Sequence, residues 1–145
     1  MFEAVIFIGW TFLLYVLHFL VHYFPPIGIF HQDHHRQVYL GKVGKWSYKN
    51  LFLWNDTWKS TVDTWTIEVI PTIIYCWYFN SFWILLFYYL WTATIRELIE
   101  HNPQIDVYPF DVSGKWHMGH HYNPNKNYGI LHPWWDVIFK TARRY

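Results

Sequence analysis

The chain has 145 residues, of which 24% are aromatic and only 14% charged, a balance far from that of an ordinary soluble domain. A net charge of +1 gives no basis for nucleic-acid binding, and the single cysteine, Cys76, leaves neither a disulfide framework nor a thiolate metal site. Histidine is the residue in excess: there are ten, and all but His132 fall in a spaced series along the chain.

Ala4 to Phe24 contains no Asp, Glu, Lys or Arg. That run is long enough to cross a hydrocarbon layer of ~30 Å, so residues 1–24 are predicted to form a transmembrane helix. A cleaved signal peptide fits less well, because no basic stretch precedes the run, no small-residue cleavage site follows it, and it carries His18 and His22. Those two histidines are four apart and share a helix face. His31-Gln-Asp-His34-His35 follows, at the i, i+3, i+4 spacing that aims three imidazoles from one face. Residues 25–56 are therefore read as a cytosolic metal-binding segment, ending in a polar and aromatic connector from Gly41 to Asp56.

Val69 to Ile95 is uncharged, too long for one straight span and too short for two. If the histidines on either side of it are to meet, the chain must leave and return on one face, so this stretch is predicted to be a hairpin. Asn80-Ser81 supplies the turn residues for its tip, and the arms extend over 57–79 and 81–100. Pro71 is expected to kink the first arm, and Glu68 has no assigned role. Residues 101–145 form the second cytosolic metal-binding segment, with His101 and then His117-Met-Gly-His120-His121.

Neutral imidazole is a ligand for iron, zinc and copper, and nine exceed what one site uses, so two metal ions are the economical reading. His132 matches no spacing and is left out. Asp33, Asp111 and Asn123, close to the boxes in sequence, are candidates to orient ligand imidazoles by accepting their second N–H. All eleven basic residues, Lys42 and Lys45 among them, fall on the histidine side of this arrangement. Positive charge flanking spans stays cytosolic, which sets the histidines in the cytosol and the N-terminus and hairpin tip on the opposite face. The expected architecture is an all-α membrane protein of one domain, 1–145. It has one transmembrane helix and a transmembrane hairpin beneath a helical, histidine-rich dimetal cap.

His18-x-x-x-His22, His31-x-x-His34-His35, the single His101, His117-x-x-His120-His121, then Asn127-Tyr128-Gly129, Trp135-Asp136 and Phe139-Lys140-Thr141 resemble the fatty acid hydroxylase superfamily, also called the sterol desaturase family, over about residues 14 to 141. The resemblance implies a membrane-embedded di-iron oxygenase whose nine boxed histidines bind two iron ions, replaceable by zinc on overexpression, with no catalytic residue beyond the ligands. It implies O2 and two external electrons, drawn from NAD(P)H through a reductase and a b-type cytochrome or ferredoxin. The substrate would be a lipid such as a fatty acyl chain or a sterol, hydroxylated, desaturated or demethylated. The membrane would be the endoplasmic reticulum or a bacterial inner membrane.

Relatives usually carry a longer N-terminal part, which implies that the lipid-facing wall here is either smaller or completed by a second protomer. Some have a tenth histidine four residues before the isolated one. This chain has Glu97 there, a candidate carboxylate ligand. Three other readings compete. A metal transporter would need polar residues along its spans, and Val69 to Ile95 offers almost none beyond Thr, Asn80 and Ser81. A non-catalytic, metal-containing lipid-binding relative conflicts with the intact boxes. Carotenoid ring hydroxylases share the box logic but usually have one more residue within the first box.

Overall fold

The computed structural model describes residues 2–39 and 46–144, and Lys42 and Lys45 lie outside them. Helices are the regular elements among the described residues, joined by irregular segments such as 100–113 and 123–133, with a single bridge pair, Asp106 with Gly114. Helix α1 (Phe2–Val21) runs the length of the molecule, and α2 (Pro25–Tyr39) folds back from its end. Two prolines at the start of α2 suit a first helical turn, whose N–H groups have no partner in the helix. The fold-back is tight: a Cβ on Gly28 would lie 2.7 Å from the Val21 carbonyl oxygen, so this position has room only for glycine.

A hairpin follows. Its first arm is α3 (Trp58–Thr64), capped by the Thr57 hydroxyl on Ser60 N, then a π turn (Trp65–Val69), then α4 (Ile70–Phe79). Pro71 has no N–H to offer the residue four back, and its ring crowds that carbonyl; the wider π turn just before it absorbs the mismatch. Asn80 ends the arm in the left-handed conformation, φ 53°, which Asn tolerates better than most residues. The second arm is α5 (Phe82–Leu90), a π turn (Trp91–Arg96) and α6 (Glu97–Ile99). Two short helices complete the described structure, α7 (Lys115–Tyr122) and α8 (Trp134–Ile138).

Helix α1 packs along the hairpin. Trp10 Nε1 donates to Thr72 Oγ1 at 2.9 Å and the Tyr75 hydroxyl donates to the Ile6 carbonyl at 2.9 Å. At the far end Glu3 accepts from Ser81 Oγ (2.9 Å) and Trp83 Nε1 (2.6 Å), which brings the start of α1 to the hairpin tip. Ile6, Trp10, Leu14, Val69, Cys76, Ile84 and Tyr88 form the core between them, joined by Ile130 and Leu131 from the C-terminal segment. The outer faces are apolar too: Trp77 and Tyr78 are 78% and 80% exposed, and Ile74, Phe82 and Leu86 also face outward. Among the described residues two helical stretches are long and apolar enough to cross a membrane, Phe2–Val21 and Phe82–Ile99. The first hairpin arm is more polar at its start, where it carries Lys59, Asp63 and Glu68.

Candidate metal centre

Four segments deliver the nine boxed histidines to one end of the bundle: the end of α1, the inner face of α2, the residue beyond α6, and α7. They sort into two adjacent groups. His18, His22, His31 and His120 have ligand atoms within 4.8 Å of one another, as do those of His34, His101, His117 and His121. His35 joins the first group, its Nε2 lying 3.1 Å from the Nε2 of both His31 and His120. Each three-histidine box is thus split. The i, i+4 pair of α2, His31 and His35, enters the first group while His34 enters the second. Helix α7 does the reverse, sending His117 and His121 to the second and His120 to the first.

The tautomers reveal what the first group is built for. His31 Nδ1 donates to Asp63 Oδ2 at 2.9 Å, His18 Nδ1 to the Tyr128 carbonyl at 2.8 Å, and His120 Nδ1 to the Lys126 carbonyl at 2.6 Å. Carbonyls and carboxylates only accept, so Nδ1 holds the proton in all three neutral rings and Nε2 is left as a bare lone pair. Yet His18 Nε2 and His31 Nε2 stand 3.2 Å apart with no hydrogen to share. Converging lone pairs in a buried site repel unless a cation lies among them, and Nδ1 bonds of this kind are how proteins orient metal-ligating imidazoles. In the second group, His117 Nε2 lies 3.3 Å from His101 Nε2 and 2.9 Å from His121 Nε2. His121 Nδ1 is buried without a partner.

The model for the fatty acid hydroxylase family matches residues 4–141. The chain belongs to that family. Neither the curated proteins nor the solved structures give a match. Membership of the hydroxylase family points to hydroxylation or desaturation of a lipid at a membrane, and the family is typically metal-dependent, as the two histidine groups suit.

Burial keeps these imidazoles neutral, the form a metal requires. Desolvation, reinforced by neighbouring imidazoles, drives His34 down to about 3 and holds His31, His35, His117 and His121 well below the ordinary histidine value. Desolvation brings His120 to about 4, against the opposing bond to the Lys126 carbonyl.

The family's C-terminal motif acts through backbone. Asp136, fully buried, accepts from Tyr128 N (2.7 Å), Gly129 N (2.8 Å) and Thr141 Oγ1 (2.7 Å). Asn127 donates to the Trp116 and Arg143 carbonyls and accepts from Arg143 N. Together they clamp the loop whose Lys126 and Tyr128 carbonyls hold His120 and His18. Helix α7 is set by Gly114 at φ 74°, where a Cβ would lie 2.3 Å from the Ile105 carbonyl oxygen.

The residues expected to orient imidazoles point elsewhere. Asp33 accepts from the Thr57 hydroxyl, Asp111 from Ser113 N, and Asn123 from Asn125 N. Asp33, next to His34 on α2, is turned ~100° away from it, while Asp111 and Asn123 lie outside α7, and the partners come from other elements. Glu97 and Glu100 both line the cleft, and neither carboxylate is among the mutually converging ligand atoms of either group. Helical backbone continues through Glu100 (φ −56°, ψ −45°), so Glu97 and His101 keep their four-residue relation, yet the Glu97 carboxylate stays out of the second group. Sequence reasoning missed Asp63 and Glu100, and it gave Glu68 no role. Glu68 accepts from the Tyr88 hydroxyl (3.1 Å) and pairs with Arg96. His132 donates to the Phe110 carbonyl and stacks on Trp134 away from both groups. A narrow cleft of about 80 Å³, opening to solvent, adjoins His18 and His31 of the first group and His34, His101 and His117 of the second, and is lined mainly by polar side chains.

Proposed function

We propose that this chain is a membrane-embedded lipid hydroxylase or desaturase with iron in both histidine groups, the groups lying at the cytosolic boundary. The observation that carries the reading is the convergence of Nε2 lone pairs from four chain segments, in a member of the fatty acid hydroxylase family. Iron there would supply O2 activation, favoured by neutral imidazoles that leave the metals electrophilic. The reaction balances as R–H + O2 + 2e⁻ + 2H⁺ → R–OH + H2O, or with a C=C bond and two waters for desaturation. A separate reductase with a b-type cytochrome or ferredoxin provides the electrons.

Within the chain, Asp63 and the Tyr128 and Lys126 carbonyls fix the ligand tautomers, and α1 and the hairpin present apolar faces along which a lipid approaches.

Expression with a suitable reductase system under 18O2 tests this reading. A lipid should gain one labelled oxygen or a new double bond, and His121→Ala should abolish the product. Unchanged lipid and sterol pools with metal-loaded, reductant-supplied protein would leave the non-catalytic lipid-binding reading in its place.

A further inference from the structure

The two histidine groups are unequal, with five imidazoles in the first and four in the second. We infer that the carboxylate of Glu100 is the missing ligand of the second group, so that the two metal positions differ in charge; the inference rests on the two-metal reading above. Glu100 is 6% exposed and immediately precedes His101. Its Oε1 lies 3.6 Å from His117 Nε2, the atom turned toward the Nε2 of His101 and His121. At 3.6 Å this is not a hydrogen bond. Two ligands bonded to one ion at ~2.1 Å stand ~3 Å apart at a right angle and ~3.6 Å apart at 120°, which is the spacing seen. Asp63 differs in kind: it meets His31 at Nδ1, the nitrogen away from the metal position.

Charge supplies an independent argument. Arg96 Nε and Nη2 both reach Glu100 Oε1 at 2.6 Å, and Arg96 Nη1 pairs with Glu68. All three residues are buried, so the row Glu68, Arg96, Glu100 sums to one net negative charge inside the protein. An uncompensated buried charge costs several kcal/mol. A dication bound against Glu100 removes that cost, while Arg96 holds the carboxylate ionised and aimed. The consequence is an anionic ligand on one metal only.

The test titrates cobalt(II) into metal-stripped, purified full-length protein and follows its visible absorption. Wild type should bind two equivalents. Glu100→Gln should bind the first as wild type does and the second at least about tenfold more weakly. At saturating cobalt, its second band should be shifted, because an oxygen has left the coordination shell. Arg96→Gln should weaken the second equivalent yet keep the wild-type band, since Glu100 remains. A wild-type band in saturated Glu100→Gln, at whatever affinity, overturns the inference and reduces Glu100 to a partner of Arg96. Fewer than two equivalents in wild type would overturn the two-metal reading itself.

Discussion

Asp136→Asn isolates the C-terminal clamp without touching a histidine. The carboxylate takes three donors with two oxygens, Tyr128 N and Thr141 Oγ1 on Oδ1 and Gly129 N on Oδ2. An amide has one oxygen; if it keeps Oδ1's partners, its NH2 faces the Gly129 N–H, donor against donor. The lost bond to a charged acceptor is worth about 1.5–3 kcal/mol, and weakening the other two from charged to neutral adds roughly 1 kcal/mol, giving about 2.5–4 kcal/mol for a side chain with no access to water. The same displacement lets the Tyr128 carbonyl drift from His18 Nδ1, which should weaken metal at the first group by about 10- to 100-fold. Denaturant unfolding in detergent and metal titration read the two effects separately. Thr141→Val, which deletes one donor to Asp136 and the acceptor of the Tyr15 hydroxyl, should cost about 1–2 kcal/mol. Asp136→Asn within 1 kcal/mol of wild type and with undiminished metal would refute the clamp.

Asp63→Asn should lower affinity at the first group by about tenfold or more and spare the second, measured by stepwise metal titration; equal loss at both would contradict the assignment of Asp63 to His31 alone. The metal-free protein should lose stability in acid. His34 and His120 bind protons in the unfolded chain near pH 6.5 but in the fold only near 3 and 4, so the stability is complete above about pH 6.5 and falls by about 1.4 kcal/mol per unit per histidine below it. A metal-free midpoint flat from pH 7 to 5 would contradict this. Cysteines placed singly at positions 80 and 125 should label from opposite faces of the membrane; labelling from the same face would sink the proposed topology.

The histidine boxes and the hairpin tip were legible because they are local: i, i+3, i+4 spacing fixes a helix face, and Asn80-Ser81 interrupts an apolar run. The partners of the histidines were not. Asp63 meets His31 from 32 residues away, and the Tyr128 carbonyl meets His18 across 110. A backbone carbonyl leaves no mark in a sequence. The Asn127, Gly129 and Asp136 that hold it did register, but only as family resemblance without a mechanism. Glu97 drew attention through α-helical arithmetic that holds for its backbone but does not bring its carboxylate into the second group, and Glu100 took the position beside His117.

The chain order of these contacts has a consequence for biogenesis. His22 faces His120 across 98 residues, so the first site cannot close until α7 has left the ribosome and the hairpin has already turned back. An ion bound there ties off a loop of that length, restricting the unfolded ensemble as a cross-link does, by about 4–5 kcal/mol on a loop-entropy estimate. On the proposed two-metal reading, the ion fastens histidines made early to one made late. A nascent chain truncated before Lys115 should hold no metal, however complete its membrane helices.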